Sequence, residues 1–195
     1  MESVDKAARV LKQGGIVIFP TETVYGIGCL IDKKDSIRRL YSIKKRAATK
    51  PTAVLVKDLA QAQEWVDFNQ TSKRLAEAFW PGHLTLCLPV RKEVPGSLLG
   101  PGNTLGVRLS SHPFIQKLQQ ELSVPLLAPS ANFQGNPLSR TFTEIDKNLV
   151  SLVDYVVDIE PESRKPSTIL AFENGKYNLV REGEISLAQI EQALR

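Results

Sequence analysis

"IVIFPTETVYGIGC", residues 16–29, opens as a core strand and then changes character. Ile16 to Phe19 is a continuous apolar run, the pattern of a strand covered on both faces, and Pro20 ends it. Thr21, Glu22 and Thr23 follow in a row, and then two glycines, Gly26 and Gly28. An ordinary turn does not require three consecutive polar residues. The segment reads as a buried strand followed by a loop that presents Thr23 at the edge of a cleft. Gly26 and Gly28 would let the backbone turn away without crowding it. Glu22 receives no role at this level.

Outward from that strand the pattern is α/β. Ser3 to Gln13 places Val4, Ala7, Ala8 and Leu11 on one helical face, and Gly14-Gly15 stops it. Asp35 to Lys44 reads as a helix, and Ala53 to Val56 as a second buried strand. Two helical stretches follow, around Leu59 to Val66 and Ser72 to Phe79. Leu84 to Val90 and Thr104 to Ser110 look like strands, Phe114 to Leu122 like a helix, and "PLLAPS" like a strand running into a loop. A helix near Phe142 to Val150, then "YVVDI", "STILAF" and "YNLVRE", complete a sheet, with Asn174-Gly175 as a hairpin turn. Ser186 and Gln189 stand in capping-box spacing before a last helix. No linker or repeat is visible, so residues 1–195 read as one domain. Hairpins mixed with βα alternation predict a twisted open mixed sheet with flanking helices.

Composition excludes little but points somewhere. The chain has 195 residues, 25 basic against 21 acidic, for a formal charge of +4. Eight of the basic residues lie between Lys33 and Lys50, against one acid, Asp35. An anionic ligand or partner is the expectation. Cys29 and Cys87 have no CxxC spacing, and only His83 and His112 could join them, so a zinc site is not expected. The charged N-terminus and the lack of a long apolar run predict a cytoplasmic protein with no membrane segment.

The standard nucleotide fingerprints are missing: there is no GxxxxGK[ST], and Gly26-x-Gly28 lacks the third glycine of a dinucleotide fold. What remains is a set of polar residues at strand ends, where α/β folds place ligands. Thr23 follows the first strand, Arg108 interrupts "GVRLS", and Ser130 and Asn132 lie in "APSANFQGNP". Ser167 and Thr168 open "STIL", and Arg181 closes "YNLVRE". Hydroxyls, an amide and guanidiniums together suit phosphate and carboxylate groups. "SIKKRAATKP" adds Lys44, Arg46 and Lys50, either a solvated helix end or a cationic strap over polyphosphate.

"FPTETVYGIGC", "IKKRAATKP", "WPGHLTL", "VRLSSHP", "APSAN", "STIL" and "VREGEIS", in that order, closely resemble the YrdC-like (TsaC) threonylcarbamoyl-AMP synthases. The resemblance implies a twisted α/β sheet with a concave basic face, and no additional C-terminal domain here. It implies condensation of L-threonine, bicarbonate and ATP to threonylcarbamoyl-AMP and pyrophosphate. The product would feed a separate transferase complex that modifies tRNAs reading codons beginning with A. The family's KxR and SxN residues fall on Lys44, Arg46, Ser130 and Asn132, the implied catalytic set. Thr23, Arg108 and Ser167 match threonine-contacting positions. Arg46, Lys50, Thr104, Ser130 and Arg181 match ATP-side positions. Mg²⁺ would come with ATP, with no metal ligated by protein. The chain departs from the family pattern at Ala47, at His83, after Arg108 in "RLSSHP", and in the loop around Ser163 to Pro166. Two other readings remain at this level: an RNA-binding module using the basic face, and a related carbamoyl-adenylate enzyme with a different substrate.

Overall fold

A computed structural model describes residues 2–44, 52–162, 165–173 and 175–195. Helix α1 (Glu2–Lys12) buries Val4, Ala7, Ala8 and Leu11, the stripe expected from their spacing. Gly14 closes it at φ +84°, a conformation that L side chains rarely adopt. Strand β1 (Val17–Phe19) follows, and all three of its residues are buried. Its alternation explains the unbroken apolar run. Ile16 and Ile18 enter one hydrophobic cluster, while Val17 and Phe19 enter a second cluster on the opposite face. Each such side chain contributes roughly 1.5–3 kcal/mol on burial.

Two sheets form where one was expected. The smaller has the order β2 (Gly26–Gly28), β1, β7 (Tyr155–Val156). Strand β2 runs antiparallel to β1 and β7 parallel to it. The larger runs β6 (Leu126–Leu127), β3 (Val54–Val56), β5 (Thr104–Leu109), β4 (Leu84–Pro89), β8 (Thr168–Glu173), β9 (Lys176–Arg181). Parallel β3–β5 and β4–β8 pairs alternate with antiparallel ones, the mixed pattern expected from sequence. β8 and β9 pair up to Glu173–Lys176, so their turn lies where the hairpin was read; Asn174 itself lies outside the described residues.

The sheets are joined along one seam. Residues 127–131 run beside β2: Leu127 N–H donates to Cys29 O at 2.9 Å, and Ile27 N–H to Pro129 O at 2.9 Å. Ala131 N–H completes the row by donating to Tyr25 O at 2.7 Å. This contact gives Gly28 its physical reason, and it is not the turn expected from sequence. A Cβ on Gly28 would sit 1.8 Å from the Leu127 carbonyl oxygen, so a side chain would push the two segments apart. The turn is made earlier, by Thr21 to Thr23.

The remaining helices are α2 (Lys34–Ile43), α3 (Leu59–Trp65), α4 (Gln70–Phe79), α5 (Pro113–Gln120), α6 (Lys147–Val150) and α7 (Leu187–Leu194). Ser186 and Gln189 cap α7 reciprocally, as their spacing predicts, and Asn69 and Ser72 do the same for α4. The helix expected over Phe142 to Val150 is instead a 3₁₀ turn at Phe142–Glu144 followed by the four-residue α6. Asp146 breaks the run because its side chain accepts from Asn148 N–H, making it an N-cap.

Candidate active site

The three polar residues after β1 build their own turn. The Thr21 hydroxyl accepts from Thr23 N–H at 3.1 Å and Val24 N–H at 3.2 Å, and donates to Val24 O at 2.7 Å. With its one hydrogen engaged there, Thr21 Oγ1 receives the Thr23 hydroxyl at 2.8 Å. That fixes the rotamer of Thr23 and leaves its oxygen lone pairs available.

Thr23 lines a cavity of about 200 Å³ with Arg108, Ser130, Ser167 and Arg181, five of the residues selected from sequence. They arrive from the β1–β2 turn, β5, the segment after β6, the start of β8 and the end of β9. The cavity therefore straddles the seam between the sheets. Arg108 Nη1 reaches Thr23 Oγ1 at 3.5 Å and Glu22 Oε1 at 2.8 Å. Glu22 is fully buried, and Ser110 Oγ donates to its other oxygen. Sequence reading missed both Glu22 and Ser110; an acid inside an otherwise uncharged strand-end motif was the available signal.

Ser167 stands between two partners. Its hydroxyl meets Thr85 Oγ1 at 2.9 Å, and Arg181 Nη2 reaches its carbonyl at 2.8 Å and its hydroxyl at 3.3 Å. Arg181 is open to solvent along its outer side, but its guanidinium lies over Ser167. Desolvation of that end, and then the charge of Arg108, hold its pKa below the ordinary arginine value. Two guanidiniums that repel across one cavity form a place where an anion relieves the strain on both.

Lys44 and Asn132 stand on the seam side, next to Ser130. Lys44 is 2% exposed, and its ammonium donates to the backbone carbonyls of Ser130 and, at 2.6 Å, Asn132. Ser130 Oγ donates to Asn132 Oδ1 at 2.7 Å, and Asn132 Nδ2 to Asn136 O at 2.6 Å. Lys44, Ser130 and Asn132 are thus one bonded unit. Thr104 is not brought to the cavity: it opens β5, four residues before Arg108, and donates to Pro101 O at 2.9 Å. Arg46, Lys50, Ser163 and the proposed strap lie outside the described residues.

Both histidines make structural contacts. His83 Nε2 lies 3.2 Å from Glu22 O, and the His112 ring accepts from Phe114 N–H to cap α5. Burial raises both cysteine thiols, Cys29 to about 12, with Asp32 adding to it, and Cys87 to about 11. Among the described residues no cluster of three His, Cys, Asp or Glu could hold a metal, and no helix is long and apolar enough to cross a membrane.

Comparison with known proteins extends these observations. A threonylcarbamoyl-AMP synthase of Xanthomonas campestris is 35% identical over 162 residues, 80% of this chain and 86% of its own. The structure of P. abyssi Sua5 complexed with L-threonine superposes with a TM-score of 0.92 at 30% identity; it covers 98% of this chain, which spans 57% of that longer protein. E. coli YciO superposes at 0.86 with 26% identity, covering 96% of this chain and 92% of its own. The family model for Sua5, YciO and YrdC proteins, described as "Telomere recombination", matches residues 9–183. The chain belongs to the Sua5/YciO/YrdC family.

Proposed function

We infer that this chain is an L-threonylcarbamoyladenylate synthase, joining L-threonine, bicarbonate and ATP to give threonylcarbamoyl-AMP and pyrophosphate. The observation that carries this reading is the cavity itself, where Arg108 and Arg181 face a common space walled by the hydroxyls of Thr23, Ser130 and Ser167. Similarity to a Sua5 solved with L-threonine and to a synthase of the same name supports the substrate.

The chemistry asks for what these residues offer. The threonine amine and bicarbonate condense to a carbamate with loss of water. A carbamate oxygen then attacks the α-phosphorus of ATP, forming a P–O bond as the bond to pyrophosphate breaks. The nucleophile is already anionic, so no strong general base is needed. The demand is to hold several negative groups close together and stabilise charge as pyrophosphate leaves. Arg108 with Thr23 and Ser167 would take threonine. Arg181 and the Lys44–Ser130–Asn132 unit would face the nucleotide, and Arg46 and Lys50 would serve the ATP side. Thr104, outside the lining of this cavity, would stand on the ATP side. Mg²⁺ enters as part of the substrate MgATP.

The wider setting belongs to the same reading. The product is consumed by a transferase complex acting on tRNAs that read codons beginning with A, in the cytoplasm, and the basic stretch from Lys33 to Lys50 gives weak RNA binding. The test is pyrophosphate release with each substrate omitted in turn, and detection of the adenylated product with varied amino acids. Release that requires both threonine and bicarbonate is expected. ATP turnover indifferent to threonine would sink the reading.

A further inference from the structure

We propose that Glu22 is a positioning residue: its buried carboxylate holds the Arg108 guanidinium beside Thr23 and so sets how tightly the cavity takes its amino-acid substrate. The inference rests on the threonine reading above and deepens it.

Glu22 is 0% exposed, and a carboxylate is almost never enclosed so fully without a cationic partner. Its backbone and side chain are each tied down. His83 Nε2 lies 3.2 Å from its carbonyl oxygen, and Ser110 Oγ donates to Oε2. The remaining oxygen, Oε1, stands 2.8 Å from Arg108 Nη1 but is not aligned as a hydrogen bond. The contact is therefore one of charge, and it fixes Nη1 alone. Arg108 Nε has no hydrogen-bond partner among the described residues. The guanidinium is thus anchored at one nitrogen and keeps bonding capacity in reserve.

A purely structural ion pair is a poor explanation for this arrangement. Buried pairs contribute little net stability over an apolar pair of the same size. Glu22 itself does not line the cavity, whereas the next residue, Thr23, and its partner, Arg108, both do. Its position suits a residue that acts through another. It also supplies a countercharge beneath two guanidiniums that repel, so that Arg108 stays directed at Thr23 instead of swinging toward solvent.

The experiment measures KM for threonine and for ATP, and calorimetric threonine binding, on the intact chain. Variants are Glu22→Gln, Glu22→Asp and Ser110→Ala, with thermal melts to set the folded fraction. Glu22→Gln should raise the threonine KM about tenfold or more, the scale of losing one member of a buried charge pair, while the ATP KM stays within about twofold. Glu22→Asp should recover part of the loss. Ser110→Ala, which keeps the charge, should give a smaller rise of the same selectivity, and it carries the test if Glu22→Gln does not fold. In an Arg108→Lys background Glu22→Gln should add little. Equal shifts in both KM values, or a full effect of Glu22→Gln without Arg108, would overturn the inference. A wild-type chain that binds threonine while the Glu22 and Ser110 variants bind it equally well would overturn it alone. A wild type that ignores threonine would remove the proposed function too.

Discussion

Lys44 and Arg108 are both buried cations beside one cavity, and their surroundings differ in kind. Lys44 donates to two backbone carbonyls of the 130–132 segment, which are neutral. Those carbonyls orient the ammonium. Arg108 instead faces the carboxylate of Glu22, which cancels charge while leaving Nε unpartnered. One cation holds a loop; the other is held at one nitrogen and retains donors. A cation's role in a site therefore depends on what it holds in place and on the donors it keeps.

Removing Lys44 should break this comparison most severely. Lys44→Met removes both bonds to the 130–132 segment, at a cost of about 3 kcal/mol or more for two charge-assisted bonds, which is over a hundredfold in rate. Turnover per folded molecule, with hydrogen exchange over residues 129–133, checks it. Exchange unchanged and activity within tenfold would mean that Lys44 does not hold the loop.

At the rim the expected effect is smaller. Arg181→Lys keeps the charge but loses the fork that engages the carbonyl and hydroxyl of Ser167. A rise of about tenfold in the ATP KM is expected, the scale of one charged hydrogen bond. A change confined to threonine would move Arg181 to the other side of the cavity.

The smallest effect lies away from both cations. Asp154 accepts from Ile16 N–H at 2.7 Å and pairs with Arg39 at 2.7 Å. Burial alone would raise its pKa, but the Arg39 hydrogen bond, the Ile16 N–H and the Arg39 charge outweigh it and lower it. A carboxylate lowered on folding contributes stability above its unfolded pKa of about 3.9, and that contribution disappears as pH falls through the folded value. Its pair is partly exposed, so less than about 1 kcal/mol is at stake, or roughly 2–4 °C in Tm. The melting difference between wild type and Asp154→Asn should therefore vanish at strongly acidic pH. A difference that persists there would assign the effect to something other than charge.

Much of this was legible in residues because the signals were local. The α1 stripe, the strand from Ile16 to Phe19 and the Ser186–Gln189 cap depend on near neighbours alone. The five cavity residues could be selected because strand ends concentrate ligands. The second sheet was hidden because β2 is Gly-Ile-Gly, too little for a periodicity to register, and nothing in "YVVDI" says which strand it pairs with. Gly28 was misread for the same reason: its demand comes from Leu127, about a hundred residues away. Glu22 could not be placed until β5 brought Arg108 and Ser110 against it. Thr104 shares a strand with Arg108, yet four residues of rise carry it away from the cavity.

The seam at residues 127–131 has a practical consequence. Because the cavity takes walls from both sheets, a bound molecule would act as a rivet across the joint and oppose its opening. Occupancy should then register in the melting of the whole chain, growing with the logarithm of ligand concentration above Kd. A simple thermal denaturation series could rank amino acids and nucleotides against this cavity without any turnover at all.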